Sequence, residues 1–140
     1  MNTDIMFSSK TDLWETPQSF YDEHDKEFQF TLDPCATPEN AKCEMFFTKE
    51  MNGLTQNWGG NRVFCNPPYG KEIGKWVKKA YEESKKNDTT VVMLIPARTD
   101  TAYFHDYIYH KAKEIRFVKG RLKFGQSKNA APFPSMVVVF

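Results

Sequence analysis

The chain has 140 residues, a formal net charge of +1, a hydrophobic fraction of 40% and an aromatic fraction of 15%. That is material for one core sheet flanked by helices, without room for a separate target-recognition domain, so a single domain over residues 1–140 is expected. No apolar run approaches the roughly 18 residues of a membrane span, and residues 1–10 lack the basic and apolar regions of a secretory signal. Cys35, Cys43 and Cys65 form neither an even disulfide set nor a metal-like pairing, and no grouping of His and Cys has ligand spacing. A cytoplasmic chain without membrane or metal is therefore expected. The small net charge conceals a gradient: residues 1–50 carry four Lys and no Arg against eleven acidic residues, a balance of −7, and the remainder carries +8. A polyanion-binding face and a merely solvated basic face both fit this asymmetry.

In chain order, Thr16-Pro17 starts a helix, threonine as cap and proline in the first turn, with Phe20, Tyr21, His24 and Phe28 near one face. Residues 28–32 alternate as a strand that runs into Asp33-Pro34, and residues 45–48 and 62–65 are further short strands, the last feeding into Asn66. Residues 71–86 place Ile73, Trp76, Val77, Ala80 and Tyr81 at helical spacing above a Lys/Glu-rich outer face. The apolar run 90–95, closed by Pro96, has the character of a central parallel strand covered on both faces. A second helix is expected over 100–111, with Tyr103, Phe104, Tyr107 and Ile108 inward. Residues 114–118 and 121–124 look like two strands around a turn at Lys119-Gly120, and 136–140 like a last buried strand. Alternating strands and helices predict an α/β fold built on an open, mainly parallel sheet.

In such sheets ligands bind beyond the carboxyl ends of the strands, where Asp33-Pro34-Cys35 and Asn66-Pro67-Pro68-Tyr69 emerge side by side. Two prolines stiffen a loop and remove two amide donors, leaving a surface rich in carbonyl acceptors. The side-chain carbonyl of Asn66 and the main-chain carbonyl of Pro67 suit one NH₂ group, and Tyr69 offers a ring against a planar base. An amine conjugated to an aromatic ring is a weak nucleophile, and two acceptors that favour a tetrahedral nitrogen bind the transition state better than the ground state. A base inside a duplex reaches such a pocket only by flipping, which costs a few kcal/mol. The competing reading of the tetrapeptide is a rigid turn, and that of Asp33 a turn or capping carboxylate. His24, His105 and His110 read as packing or surface residues.

The tetrapeptide resembles that of the amino-methyltransferases, and the chain as a whole resembles the phage-type DNA N-6-adenine methyltransferase (Dam) family. The stretches that carry this are Trp14-Glu15-Thr16-Pro17, Leu32-Asp33-Pro34-Cys35-Ala36, Asn40-Ala41-Lys42-Cys43, Asn52-Gly53-Leu54, Trp58, Phe64-Cys65-Asn66-Pro67-Pro68-Tyr69-Gly70, Leu94-Ile95-Pro96-Ala97-Arg98 and Gly120-Arg121-Leu122-Lys123-Phe124. The resemblance implies a single-domain Rossmann-like methyltransferase fold with an antiparallel C-terminal strand, and methyl transfer from S-adenosylmethionine to the exocyclic amine of a flipped adenine. It makes Asn66, Pro67, Pro68 and Tyr69 catalytic, and Trp14, Thr16, Pro17, Asp33, Pro34, Cys35, Asn40, Asn52 and Leu54 cofactor-binding. Two departures stand out. The glycine-rich turn usual after the first strand is replaced by Asp33-Pro34-Cys35-Ala36-Thr37-Pro38, which leaves Asp33 or Asn40 to hold the methionine end. Asn66 also stands where many such enzymes have Asp.

Double-stranded DNA is the implied partner, with Arg98, Arg121 and Lys123 as candidate phosphate contacts and Phe124 as a candidate for the flipped base or for the core. A second copy of so small a domain is one way to cover a duplex, and the implied setting is a bacterial or phage-infected cell. RNA bases and protein glutamine amides also present NH₂ groups and stand as alternative substrates, as does a noncatalytic DNA-binding descendant.

Overall fold

A computed structural model describes residues 14–125 and 129–140; the amino-terminal segment screened for a signal lies outside them. Six strands, β1 (Leu32–Asp33), β2 (Met45–Phe46), β3 (Arg62–Cys65), β4 (Thr90–Pro96), β5 (Glu114–Phe117) and β6 (Ser135–Val139), form one sheet in the order β2-β1-β3-β4-β6-β5. The pairings β2/β1, β1/β3 and β3/β4 are parallel, and β6 lies antiparallel between β4 and β5. The result is a mixed α/β architecture with a parallel half and an antiparallel half.

Side-chain alternation on the strands explains the layering. Val63 and Cys65 of β3, Val91, Met93 and Ile95 of β4 and Met136 and Val138 of β6 face one side, where α2 (Ile73–Glu83) packs Ile73, Trp76, Val77 and Ala80 on them. Phe64, Val92, Leu94, Val137 and Val139 face the other, against Tyr21 of α1 (Gln18–Phe28), Phe124 and Phe133. Both faces of β4 and β6 are thus buried, which is why those strands read as unbroken apolar runs. The α2 side is fastened by Glu83, a buried carboxylate that accepts the Trp58 main-chain N–H at 2.7 Å and pairs with Lys86 at 2.9 Å. On the far edge, Arg116 of β5 forks onto Glu27 of α1 at 2.7 and 2.6 Å.

Several elements differ from the pattern read along the chain. The strand expected over 28–32 shrinks to Leu32–Asp33 because α1 continues to Phe28 and closes on Gln29 at φ 55°, with Asp25 accepting the Phe30 N–H at 2.8 Å. Thr16 does not cap α1; Pro17 holds that position, without a side-chain cap. The expected helix over 100–111 is one π turn, Phe104–Ile108, closed by the Tyr109 N–H on the Phe104 carbonyl. Phe104 and Ile108 point inward as expected. Residues 121–124 form no strand, and β5 pairs with β6 rather than with them. The central strand β4 is parallel to β3 but antiparallel to β6.

Candidate active site

The parallel half of the sheet delivers Asp33 at the end of β1 and Asn66 immediately after the end of β3. These strands are direct neighbours, with Leu32 opposite Val63. The strand-end placement that the sequence implied for both is therefore present.

Asn66 is held by the segment leading into α1. Its Nδ2 donates to the Trp14 main-chain carbonyl and to Thr16 Oγ1 at 3.0 Å. Its Oδ1 is buried and has no hydrogen-bond partner. A carbonyl left this way costs on the order of 1–3 kcal/mol relative to a satisfied one. Thr16 is itself 6% exposed. The sequence reading of Thr16 as a helix cap missed this partnership, whose partners lie 50 residues apart.

Tyr69 is fixed at both ends. Its hydroxyl donates to the Leu94 carbonyl of β4 at 3.0 Å, and its ring meets Phe124 and Phe133 edge-on at 6.1 and 5.7 Å. Burial pushes its phenol well above the ordinary range, so it acts as a hydrogen-bond donor and apolar wall rather than a base. Trp14 joins the same group, edge-on to Phe124 at 5.6 Å and to Phe133 at 5.1 Å. Trp14, Tyr69, Phe124 and Phe133 thus make an aromatic cluster beside Asn66. Phe124 is buried in the second core face, the packing alternative of its two sequence readings.

The remaining cofactor candidates gather on two loops. Asp33 is buried; its Oδ1 accepts the Cys35 N–H at 3.3 Å and its Oδ2 the Lys42 N–H at 3.1 Å. It thereby organises the turn that stands in for a glycine-rich one. Desolvation pushes its carboxyl up to about 6, against the lowering effect of the Lys42 and Cys35 amides. Asn52 sits at φ 56° and accepts the Leu54 N–H at 3.2 Å, starting the 3-10 turn Gly53–Thr55. Gly53 presses against the β1 loop: a methyl group there would overlap the Pro34 carbonyl oxygen and approach Trp76 Cη2 to 3.0 Å. Trp58 Nε1 locks it by donating to the Gly53 carbonyl at 2.9 Å. The Asn52–Leu54 turn thus lies against Pro34 of the β1 loop. Asn40 closes the Thr37–Asn40 turn through the Thr37 N–H at 2.8 Å and reaches Glu15 at 3.4 Å, linking this loop to the segment that holds Asn66. Burial raises the Cys35 thiol to about 12 and the Cys43 thiol to about 11, so neither is a nucleophile at neutral pH.

The basic candidates divide. Arg98 is exposed on a cleft of about 400 Å³ beyond β3 and β4, shared with Tyr69, Lys71, Ile73, Thr101 and Tyr103. Lys71 was not singled out from sequence, although a lysine two residues beyond the tetrapeptide is a legible signal, and Tyr103 was read only as an inward residue of the expected helix. Arg121 and Lys123 are exposed on a shallow cleft of about 390 Å³ with Pro17, Phe20 and Glu23, and Arg121 donates to the Ala131 carbonyl at 3.3 Å. The two basic sites are thus distinct. Among the described residues no group of three His, Cys, Asp or Glu is arranged for a metal, and no helix is long and apolar enough to cross a membrane.

An unpartnered strand-end carbonyl in a proline-stiffened, aromatic-walled loop of an α/β sheet is compatible with a transferase that acts on an amino group. The family model for DNA N-6-adenine-methyltransferase (Dam) matches residues 4–140, and the chain belongs to that family. A DNA N-6-adenine-methyltransferase of Haemophilus phage HP1 (strain HP1c1) is 34% identical over 140 residues, covering 94% of this chain and 80% of the relative. One of Escherichia phage T1 is 36% identical over 113 residues, covering 79% of this chain and 46% of that longer protein.

Proposed function

We propose that this chain is an adenine-specific DNA methyltransferase that transfers a methyl group from S-adenosylmethionine to the N6 amine of a flipped adenine in double-stranded DNA, as one methyltransferase domain with a Rossmann-like sheet. Family membership supports adenine N6 methylation of DNA. The observation that carries the chemistry is the buried, unpartnered Oδ1 of Asn66 at the end of β3.

The residues present fit the cofactor. The β1 loop, the Asn52–Leu54 turn packed against Pro34 and the Trp14–Pro17 segment lie around the strand ends, and the unpartnered Asn66 Oδ1 is an acceptor for the amine that must meet the methyl group. Thr16, Pro17, Asp33, Pro34, Cys35, Asn40, Asn52 and Leu54 would hold S-adenosylmethionine. When bound, it supplies an electrophilic sulfonium methyl. Asn66 Oδ1, with the Pro67 carbonyl, accepts from the exocyclic amine and draws its lone pair out of conjugation. Tyr69, anchored to Leu94, walls the base site, and the surrounding aromatic residues exclude water. No group is needed with a pKa tuned for strong base catalysis, which agrees with the raised Tyr69 and Cys35 groups nearby.

The test is incubation of the protein with methyl-labelled S-adenosylmethionine and, separately, duplex DNA, RNA and protein. Label in DNA, recovered as N6-methyladenine, is expected; label in RNA or in glutamine amides alone would replace this reading.

A further inference from the structure

Within this reading of Asn66 as the amine acceptor, one question is what prevents its amide from rotating. The Trp14 main-chain carbonyl is an acceptor only, so the atom of Asn66 that faces it must be the nitrogen. The second amide hydrogen is taken by Thr16 Oγ1. With both N–H groups engaged, Oδ1 is left with both lone pairs free. Reversing the amide would set oxygen against oxygen at Trp14 and leave a buried NH₂ where the acceptor belongs.

We propose that Thr16 is a positioning residue: with the Trp14 carbonyl, its hydroxyl fixes the amide of Asn66 so that Oδ1 is presented to the substrate amine. This is also why position 66 is Asn here. An Asp would turn one carboxylate oxygen on the Trp14 carbonyl, with no hydrogen to share. The segment preceding α1 therefore sets the geometry of the loop after β3, in addition to any contact it makes with the cofactor.

Two readouts test this, one independent of turnover. In the free protein, ¹⁵N-labelled at asparagine, the Asn66 side-chain amide should be protected from hydrogen exchange in the wild type and in Thr16→Ser. In Thr16→Val, which keeps the shape and loses the oxygen, exchange should speed by about tenfold, the loss of one ordinary hydrogen bond. In parallel, kcat of Thr16→Val, measured at saturating cofactor and DNA, should fall by about tenfold, and Thr16→Ser should restore it. Asn66→Asp probes the same pair from the other side and should lose more kcat than Thr16→Val. Unchanged amide protection in Thr16→Val overturns the proposal. So does a Thr16→Val with wild-type kcat at saturating cofactor, or an Asn66→Asp as active as the wild type. If the wild-type protein methylates no DNA, the proposed function fails, whereas the exchange experiment still decides the orientation of Asn66.

Discussion

Gly53→Ala tests how the cofactor loops are held together. The added methyl would overlap the Pro34 carbonyl oxygen and reach Trp76 Cη2 at 3.0 Å. The nearest obstacle is main chain, so one backbone segment must move against another. The Asn52–Thr55 turn cannot swing freely, because Trp58 Nε1 holds the Gly53 carbonyl at 2.9 Å and Asn52 accepts from Leu54 at 3.2 Å. Overpacking of this kind costs about 1–3 kcal/mol, and the direct backbone overlap argues for the upper end. For a chain of this length that corresponds to a fall in Tm on the order of 10 °C. Because Pro34 and Cys35 lie on the displaced loop, the Kd for S-adenosylmethionine should rise by about tenfold or more in titration calorimetry. Gly74→Ala is the control: its nearest neighbour would be Tyr103 at 3.7 Å, an ordinary contact, and its helical setting favours alanine. A Gly53→Ala protein that melts within about a degree of the wild type and binds cofactor normally would refute the reasoning.

Asp33 makes stability pH-dependent. Its folded-state pKa of about 6 lies above the unfolded value, so the native protein binds the extra proton, and stability falls as pH rises from about 4 to about 6 by up to about 3 kcal/mol, then levels. Denaturant midpoints of the wild type against Asp33→Asn should diverge over that window; parallel curves would remove the role of desolvation. Glu83→Ala should cost about 1–3 kcal/mol by leaving the Trp58 N–H without its acceptor, whereas Glu83→Gln keeps an acceptor and should cost less, both read by chemical denaturation. If Arg98 and Lys71 contact phosphates, Arg98→Ala and Lys71→Ala should each lower the salt slope of DNA binding by about 0.9. An unchanged slope for both would take DNA away from that cleft.

The parts of the fold legible in the sequence were those whose pattern is set by packing on the sheet. The apolar runs of β3 and β4 and the spacing of Ile73, Trp76, Val77 and Ala80 follow directly from burial against their neighbours. Local chemistry defeated the pattern elsewhere. Phe28 and Phe30 alternate like a strand, yet α1 runs to Phe28, Gln29 adopts a left-handed cap and Asp25 takes the Phe30 N–H. Residues 121–124 have strand composition but do not join the sheet, whose edge strand β5 pairs with β6; the Leu122 carbonyl accepts the Ala131 N–H instead, and the adjoining Gly125 N–H donates to the Glu15 carbonyl. The tetrapeptide and the Asp33 loop were readable because each leaves a strand end. The hold of Trp14 and Thr16 on Asn66 was not, because no periodicity connects residues so far apart. Family membership, which the motifs implied, is established by the match over residues 4–140.

The central claim is that Asn66 Oδ1 accepts the adenine amine during methyl transfer. The most direct measurement is single-turnover formation of N6-methyladenine in duplex DNA by the wild type and by Asn66→Ala, with cofactor affinity measured in parallel. Loss of one such acceptor should slow methyl transfer by about a hundredfold or more while cofactor Kd stays within about twofold. An Asn66→Ala protein that transfers methyl at the wild-type rate, or loses cofactor binding and turnover in equal measure, would contradict the account.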